Sequence, residues 1–315
     1  MFNFSINFLK ISGLSDIYKF FMLEIYNIFF MLIKIKKLIF AILIILPFAL
    51  FSQNAEKYRL KTSDWQIGAN FAKLRDPYLS PMDYSGNGIW AGWNNKRFFL
   101  KSSEKFIETS SISLSYNILL NPPQTAAMHY LGGNVNYGVH YRFPILKNLW
   151  FLLGASADID LGFRYLSRNS NNPFNMDFGE NLNLSAAAQW KFSLLRRVFQ
   201  VDASARTPLV GLMFVPQRGA SYYEMGTFDD GMNNTLHLSY LGNKQGLKAM
   251  LGLDIPIWRL TIRLSGNADF LVHKANESVY RYQRAVCGFG IGLKYNFITF
   301  AGRKNLPPNN FITPD

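Results

Sequence analysis

The sequence predicts an all-β chain, closed into an antiparallel transmembrane β-barrel of about twelve strands. Three observations carry this prediction. Apolar and polar residues alternate over long stretches, and only a β-strand turns such alternation into two distinct faces. Short connections alternate with longer, polar ones. Aromatic residues gather at the ends that carry the short connections.

The clearest stretch is residues 149–165. Phe151, Leu153, Ala155, Ala157, Ile159, Leu161 and Phe163 fall on one face, and Gly154, Ser156, Asp158, Asp160, Gly162 and Arg164 on the other. A soluble strand usually has about five or six residues. A tilted membrane-crossing strand needs roughly 9–11 in the hydrocarbon. The same rhythm opens at 65–71 and returns at 111–118, 131–143, 182–192 and 199–206. It continues at 235–240, 247–255, 259–270 and 284–297. Residues 86–100 keep phase through Ile89, Ala91 and Trp93 and lose it at Phe98-Phe99. A barrel whose first strand rises and whose last descends needs an even number of strands. The eleven stretches therefore require a twelfth, assigned to residues 210–224 in spite of Pro216.

The connections 143–148, 193–197 and 256–258 are short. Those at 75–85, 120–127, 167–176 and 273–278 are longer and polar, with Pro122-Pro123 and Asn171-Asn172-Pro173 as loop punctuation. Phe143, Trp150, Phe151, Trp190, Phe192, Phe199, Trp258 and Phe297 crowd the short-connection end, as a girdle at a membrane interface would.

Charged residues make up only 17% of the 315-residue chain and aromatics 16%. After residue 50 no stretch is continuously apolar for the ~18 residues of a spanning helix. Before it, Met31 begins M-L-I-K-I-K-K, followed by an apolar run to Leu50 and then Phe51-Ser52-Gln53. A basic start, an apolar core and a small residue read as a secretory signal peptide. The expected organisation is an upstream extension at 1–30, a signal peptide at 31–52, the barrel at 53–297 and a periplasmic tail at 298–315. An uncleaved anchor helix is the alternative for 31–52. Of the net charge of +13, the first 52 residues hold +3, which leaves +10 for the rest. Such a balance favours anionic lipid or acidic solutes; the export signal argues against nucleic acid. Cys287 stands alone, so no intrachain disulfide can form.

Turned inward, the apolar side chains of so many strands would overfill the lumen, because small barrels are nearly filled at about eight strands. The apolar face is therefore expected to meet lipid. With its alternating strands, aromatic ends and closing G-F-G-I-G-L-K-Y-N-F at 288–297, the chain resembles the β-barrel outer-membrane proteins of Gram-negative bacteria over residues 65–297. The resemblance implies an integral protein of the cell outer membrane, in contact with its lipid and lipopolysaccharide. It also implies folding by the barrel-assembly machinery, which reads a final strand ending in an aromatic. The tail departs from this pattern, since such proteins often stop at the aromatic. Short turns would then face the periplasm. The resemblance identifies a class and no single activity.

By phase, the lumen is lined by Arg142, Asp158, Asp160, Arg164, Asp202, Arg206, Lys248, Asp254, Arg259, Arg263, Asp269 and Arg284, with Lys191 and Lys294 beside them. Nine bases against five acids make a net-basic lining. Facing Arg and Asp side chains can pair and partly plug the lumen. Left free, the bases would select a small polar or anionic solute. The expected role is a structural barrel or a narrow solute channel.

Catalytic readings are weaker. Asp158 and Asp160 could divide acid and base roles only if their environments differ. His237 and Ser239 form H-x-S, similar in spacing to the catalytic pair of outer-membrane phospholipases. Here Leu236, Leu238 and Tyr240 turn the pair inward, and no orienting Asn or Asp can be assigned. A lipid hydrolase of phospholipase or lipid A deacylase type is the alternative function. A docking component of an envelope complex, contacting through the tail, is another. No cofactor or metal is expected. His129, His140, His237 and His273 are scattered, and 229–234 lacks the spacing of a calcium loop. The run 221–224 (Ser-Tyr-Tyr-Glu) suits a girdle or plug better than a binding platform. Gly288, Gly290 and Gly292 are expected to let a bulky neighbour pack against the wall.

Overall fold

The computed structural model describes residues 58–100, 103–170, 172–194, 196–216, 222, 235–257, 260–275, 280–298 and 311–314. The expected signal segment, the side chains of Trp258, Arg259 and Phe297, and the 229–234 loop lie outside what it describes. Among the described residues no helix is long and apolar enough to cross a membrane.

The alternation becomes β1 (Tyr58–Asp76), β2 (Ser80–Phe98), β3 (Phe106–Leu120), β4 (Ala127–Leu146), β5 (Leu149–Leu166), β6 (Phe174–Leu194) and β7 (Arg197–Phe214). Then come β8 (Leu236–Tyr240), β9 (Lys244–Ile257), β10 (Leu260–Ala275), β11 (Tyr280–Ile298) and the short β12 (Phe311–Ile312). Neighbours in sequence pair antiparallel from β1 to β8 and from β9 to β11, β9 pairs with β7, and β11 pairs with β1, which closes the sheet on itself. Closure gives every wall strand two partners, so no edge is left to aggregate.

Ten of these strands make the closed wall, with β8 and β12 off the ring. Residues 210–214, expected in a strand of their own, complete β7, which runs without a break across Pro208. β8 and β9 share one place beside β7. β8 pairs from Phe214↔Leu236 to Val210↔Tyr240, and β9 from Arg206↔Lys248 to Gln200↔Asp254. Between Val210 and Arg206, β7 advances four residues while its partner advances eight. The surplus bulges out, so the sequence shows two strands where the wall has one. β12 pairs parallel with the start of β1, Tyr58↔Phe311.

Register also sets the slant. From Phe98 the partners run Ile107, His140, Gly154, Ser185, Arg206 and Lys248. They continue through Asp269, Val286 and Ala72 to Gly86, twelve residues along the strand of departure. Ten strands with that offset tilt by about 40° from the barrel axis. The end holding Phe98 and the chain's Tyr58 is called lower here, and the end holding Asp76 upper.

In the middle of the wall, Ile67, Ile89, Leu114, Val135, Ile159, Leu182, Leu251 and Ile291 point outward and are exposed. Aromatic rings surround the lower end outside: Trp190 lies tilted against Phe192 with ring centroids 4.9 Å apart, Phe192 stacks on Phe199 at 5.7 Å, and Tyr141 lies tilted against Phe143 at 4.6 Å. Trp150 does not join them. One step out of phase with Phe151, it turns inward, and Arg142 and Lys191 lie over its ring at 4.4 and 5.6 Å. It packs with Phe98, Ile107 and Leu152 on the lower inner rim. A second outer belt, not read from the sequence, holds Tyr116, His129, Phe163, Tyr165 and Phe174 at the upper end. From Phe151 to Phe163 on β5, about 3.3 Å per residue at this tilt separates the belts by about 30 Å.

Toward the upper ends of β1 and β2 the two faces exchange polarity. Leu74, Tyr84, Leu119, Met128, Leu166, Met213 and Tyr282 point inward and are buried, joined by Tyr78, Val215 and Tyr222. Lys73, Ser85 and Asn87 point outward there. The upper end of the lumen is thus filled by an apolar cluster.

Candidate functional site: the ion-paired lumen

Inward positions carry charge on three levels, each centred on a buried arginine, the lower two below the apolar cluster and the third within it. On the lowest, Arg263 of β10 donates to both oxygens of Asp254 on β9 at 2.6 and 2.8 Å. It also reaches Asp64 on β1 at 3.1 Å and Asp202 on β7. Lys294 of β11 bonds Asp254 at 2.7 Å, and Lys96 of β2 reaches across to Asp202 at 3.3 Å.

On the middle level, Arg284 of β11 donates to Asp160 on β5 at 2.6 Å, to Asp269 on β10 at 2.9 Å and to the Tyr130 hydroxyl at 3.1 Å. Lys248 of β9 donates to the other Asp160 oxygen at 2.8 Å. Arg206 of β7 donates to Asn134 of β4 at 2.7 Å and lies 3.6 Å from Asp158, which also accepts from Asn181 at 2.7 Å. On the top level, Arg164 forms a bidentate pair with Asp177 of β6, both bonds 2.6 Å, and meets Asp76 of β1 at 2.7 Å. The Arg164 guanidinium sits 4.6 Å from the Tyr282 ring. Tyr222 donates to Asn175 at 2.5 Å, and Asn175 donates to Asp76 at 2.6 Å, tying the level to the apolar cluster around it.

Of the twelve lumen positions read from phase, eleven are described and point inward, with Arg142 at the lower rim; Arg259 lies outside the described residues. Sequence reasoning missed Asp64, Asp76, Asp177, Lys96 and Lys244. Asp64, Asp76, Asp177 and Lys244 stand beyond the ends of the stretches read as strands, and Lys96 follows Trp93, the last apolar residue in phase on 86–100. With them, inward acids and inward bases above the rim each number eight among the described residues. Charges out of water are tolerated when paired and hydrogen-bonded, and losing one partner of such a pair typically costs about 3–5 kcal/mol.

Asp158 and Asp160 are both engaged by bases, so neither is a free acid or base. His237 is half-buried and Ser239 is buried on β8. The Ser239 hydroxyl has no hydrogen-bond partner among the described residues, so it lacks a base. A different pair is brought together from distant strands: His140 Nε2 and Ser185 Oγ are 2.9 Å apart. No carboxylate bonds the His140 ring among the described hydrogen bonds, so the orienting third group of a catalytic triad is missing there too. No cluster of metal-binding side chains occurs among the described residues.

Between the lower and middle charged levels lies a cavity of about 230 Å³. β3 lines it with Ser111, Ser113 and Ser115, and β4 with Asn134 and Asn136. Trp90 closes one side, its indole N–H donating to the Phe289 carbonyl at 3.2 Å. Its ring lies against Gly290, where a Cβ would come within 2.6 Å of it. This is the bulky neighbour that the glycine face accommodates.

Solved structures align with the chain at very low identity. OmpT, an outer membrane protease from Escherichia coli, aligns with TM-score 0.44 at 5% identity, over 78% of this chain and 99% of its own. The transport unit of the autotransporter AIDA-I from Escherichia coli aligns with TM-score 0.38 at 7% identity, over 79% and 94%. The translocator domain of NalP from Neisseria meningitidis aligns with TM-score 0.33 at 10% identity, over 78% and 91%. No curated protein matches the sequence significantly. A family model matches residues 29–304, and the chain belongs to that family, described as Protein of unknown function (DUF3316).

Proposed function

We propose that the chain is an integral outer-membrane barrel with a structural, non-enzymatic role, its lumen held shut by ion pairs. The exchange of polarity along single strands carries the membrane part of this reading. Midway up, apolar side chains face out and charges face in; higher up, Leu74, Tyr84 and Tyr282 face in and Lys73 faces out. One solvent around the whole wall would favour one phase throughout. Lipid around the middle and water around the top favour both. The signal-like segment at 31–52 supports export, the short turns then face the periplasm, and lipid and lipopolysaccharide are the surrounding partners.

The cross-lumen arginines and the apolar cluster at the upper end support the closed state. A narrow route for a small anionic solute is the second reading, favoured by Arg206 and Lys248, which keep some exposure to the cavity.

The test is single-channel recording of the refolded protein in planar bilayers. The proposal expects near silence from the wild type and steady conductance from Arg263→Ala/Arg284→Ala. Steady anion-preferring conductance from the wild type would favour the second reading. Protein that stays monodisperse in buffer without detergent would overturn the membrane assignment.

A further inference from the structure

The cavity between the two lower charged levels is lined by neutral hydroxyl and carboxamide groups, some of them buried and unmatched, together with charged side chains of the two levels themselves. Asn70 Nδ2, Asn136 Oδ1 and Asn267 Oδ1 have no hydrogen-bond partner among the described residues. Asn70 is 5% exposed and Asn136 6%, and all three line the cavity. Buried polar groups are nearly always satisfied, so such a cluster calls for an occupant. Arg206 Nε, Arg284 Nε and Asp269 Oδ1, also in the lining, are likewise without a hydrogen-bond partner among the described residues, so the unmet set holds both donors and acceptors. A carboxylate could serve only the donors and an ammonium only the acceptors; a hydroxyl serves either.

Charge points the same way. The arginine and lysine side chains around the cavity are engaged by carboxylates: Lys96 by Asp202, Arg206 by Asp158, Lys248 and Arg284 by Asp160. An ionic ligand would have to break these pairs or enter without a counter-charge, at high desolvation cost. Trp90 adds an aromatic wall that suits the C–H face of a ring bearing hydroxyls. A volume of about 230 Å³ admits a molecule of monosaccharide size.

We propose that the lumen cavity bounded by Ser111, Ser113, Asn136, Asn267 and Trp90 is a binding site for a neutral polyhydroxylated solute of monosaccharide size. The site stands apart from the closed-pore reading, because a ligand can be held in a lumen that does not conduct.

The experiment uses the full chain refolded in a detergent without a sugar headgroup. Saturation-transfer difference NMR is recorded with D-glucose, D-gluconate and D-glucosamine, which share size and differ in charge. The expected result is transfer to glucose, with roughly tenfold weaker binding of both charged analogues. Ser113→Leu, which fills the cavity, should weaken glucose binding by roughly tenfold or more. If that variant fails to fold, Ser111→Val provides the same test, and a nuclear Overhauser contact between glucose and the Trp90 indole gives a readout in the wild type. Absence of transfer to glucose, equal transfer to all three probes, or unchanged binding in a folded cavity-filling variant would each overturn the proposal; the first outcome would mean that the cavity holds water alone.

Discussion

Arg284 and Asp160 meet at 2.6 Å across the full width of the barrel, from β11 on one side to β5 on the other. Five steps around the ten-stranded wall separate them in either direction. No local pattern in either strand specifies the meeting. It follows from ring size, tilt and register together, and it ties opposite walls at mid-height.

The first prediction concerns this pair. Arg284→Met strands Asp160 and Asp269 near a single remaining base, Lys248. The expected loss is about 3–5 kcal/mol of stability. Asp160→Leu alone should cost a similar amount, while the double variant should recover part of it, since apolar replacement of a whole buried pair is often neutral. Urea unfolding of the refolded barrel, followed by gel mobility with and without heating, measures all three. Additive losses would mean that the two side chains do not interact.

Trp90 and Gly290 give a second prediction. A side chain at 290 collides with the indole, because even a Cβ falls 2.6 Å from the ring. Gly290→Val is therefore expected to displace Trp90, break its bond to the Phe289 carbonyl and cost about 1–3 kcal/mol. A red shift in tryptophan emission relative to wild type, absent when the same change is made in a Trp90→Phe background, reports the displacement.

The outward face yields a third. Val135 is 49% exposed and lies midway along β4 between the outer rings of His129 and Phe143. Val135→Arg should cost about 2–4 kcal/mol in a lipid bilayer. Ile145→Arg, below the lower belt, should cost about 0–1 kcal/mol. Folding yields into vesicles compare the two. Equal tolerance at both positions would remove lipid from the middle of the wall.

The sequence by itself determined which residues face in and which face out along most of the wall. That information is local: alternation has a period of two, and a strand cannot satisfy it any other way. Hence Asp158, Asp160 and Arg164 could be placed inside from residues 149–165 alone, and the glycine face of 288–292 could be read as room for a neighbour.

Tertiary structure decided what the alternation could not encode. The continuity of β7 through Pro208, and the sharing of one place by β8 and β9, depend on how each segment registers against its partner. Asp76 escaped notice because β1 runs past the outer apolar band, where Lys73 faces out and Leu74 in and the signal is erased. Asp177 lies in the part of β6 before residue 182, where Phe174, Met176 and Phe178 carry the alternation on beyond the stretch read as a strand. Which acid meets which base is set by closure: twelve residues of offset around ten strands bring Arg284 to Asp160 and Lys96 to Asp202, pairs separated by half the ring. Contacts of that range arise only when the sheet shuts, because the strands that supply them share no hydrogen bond.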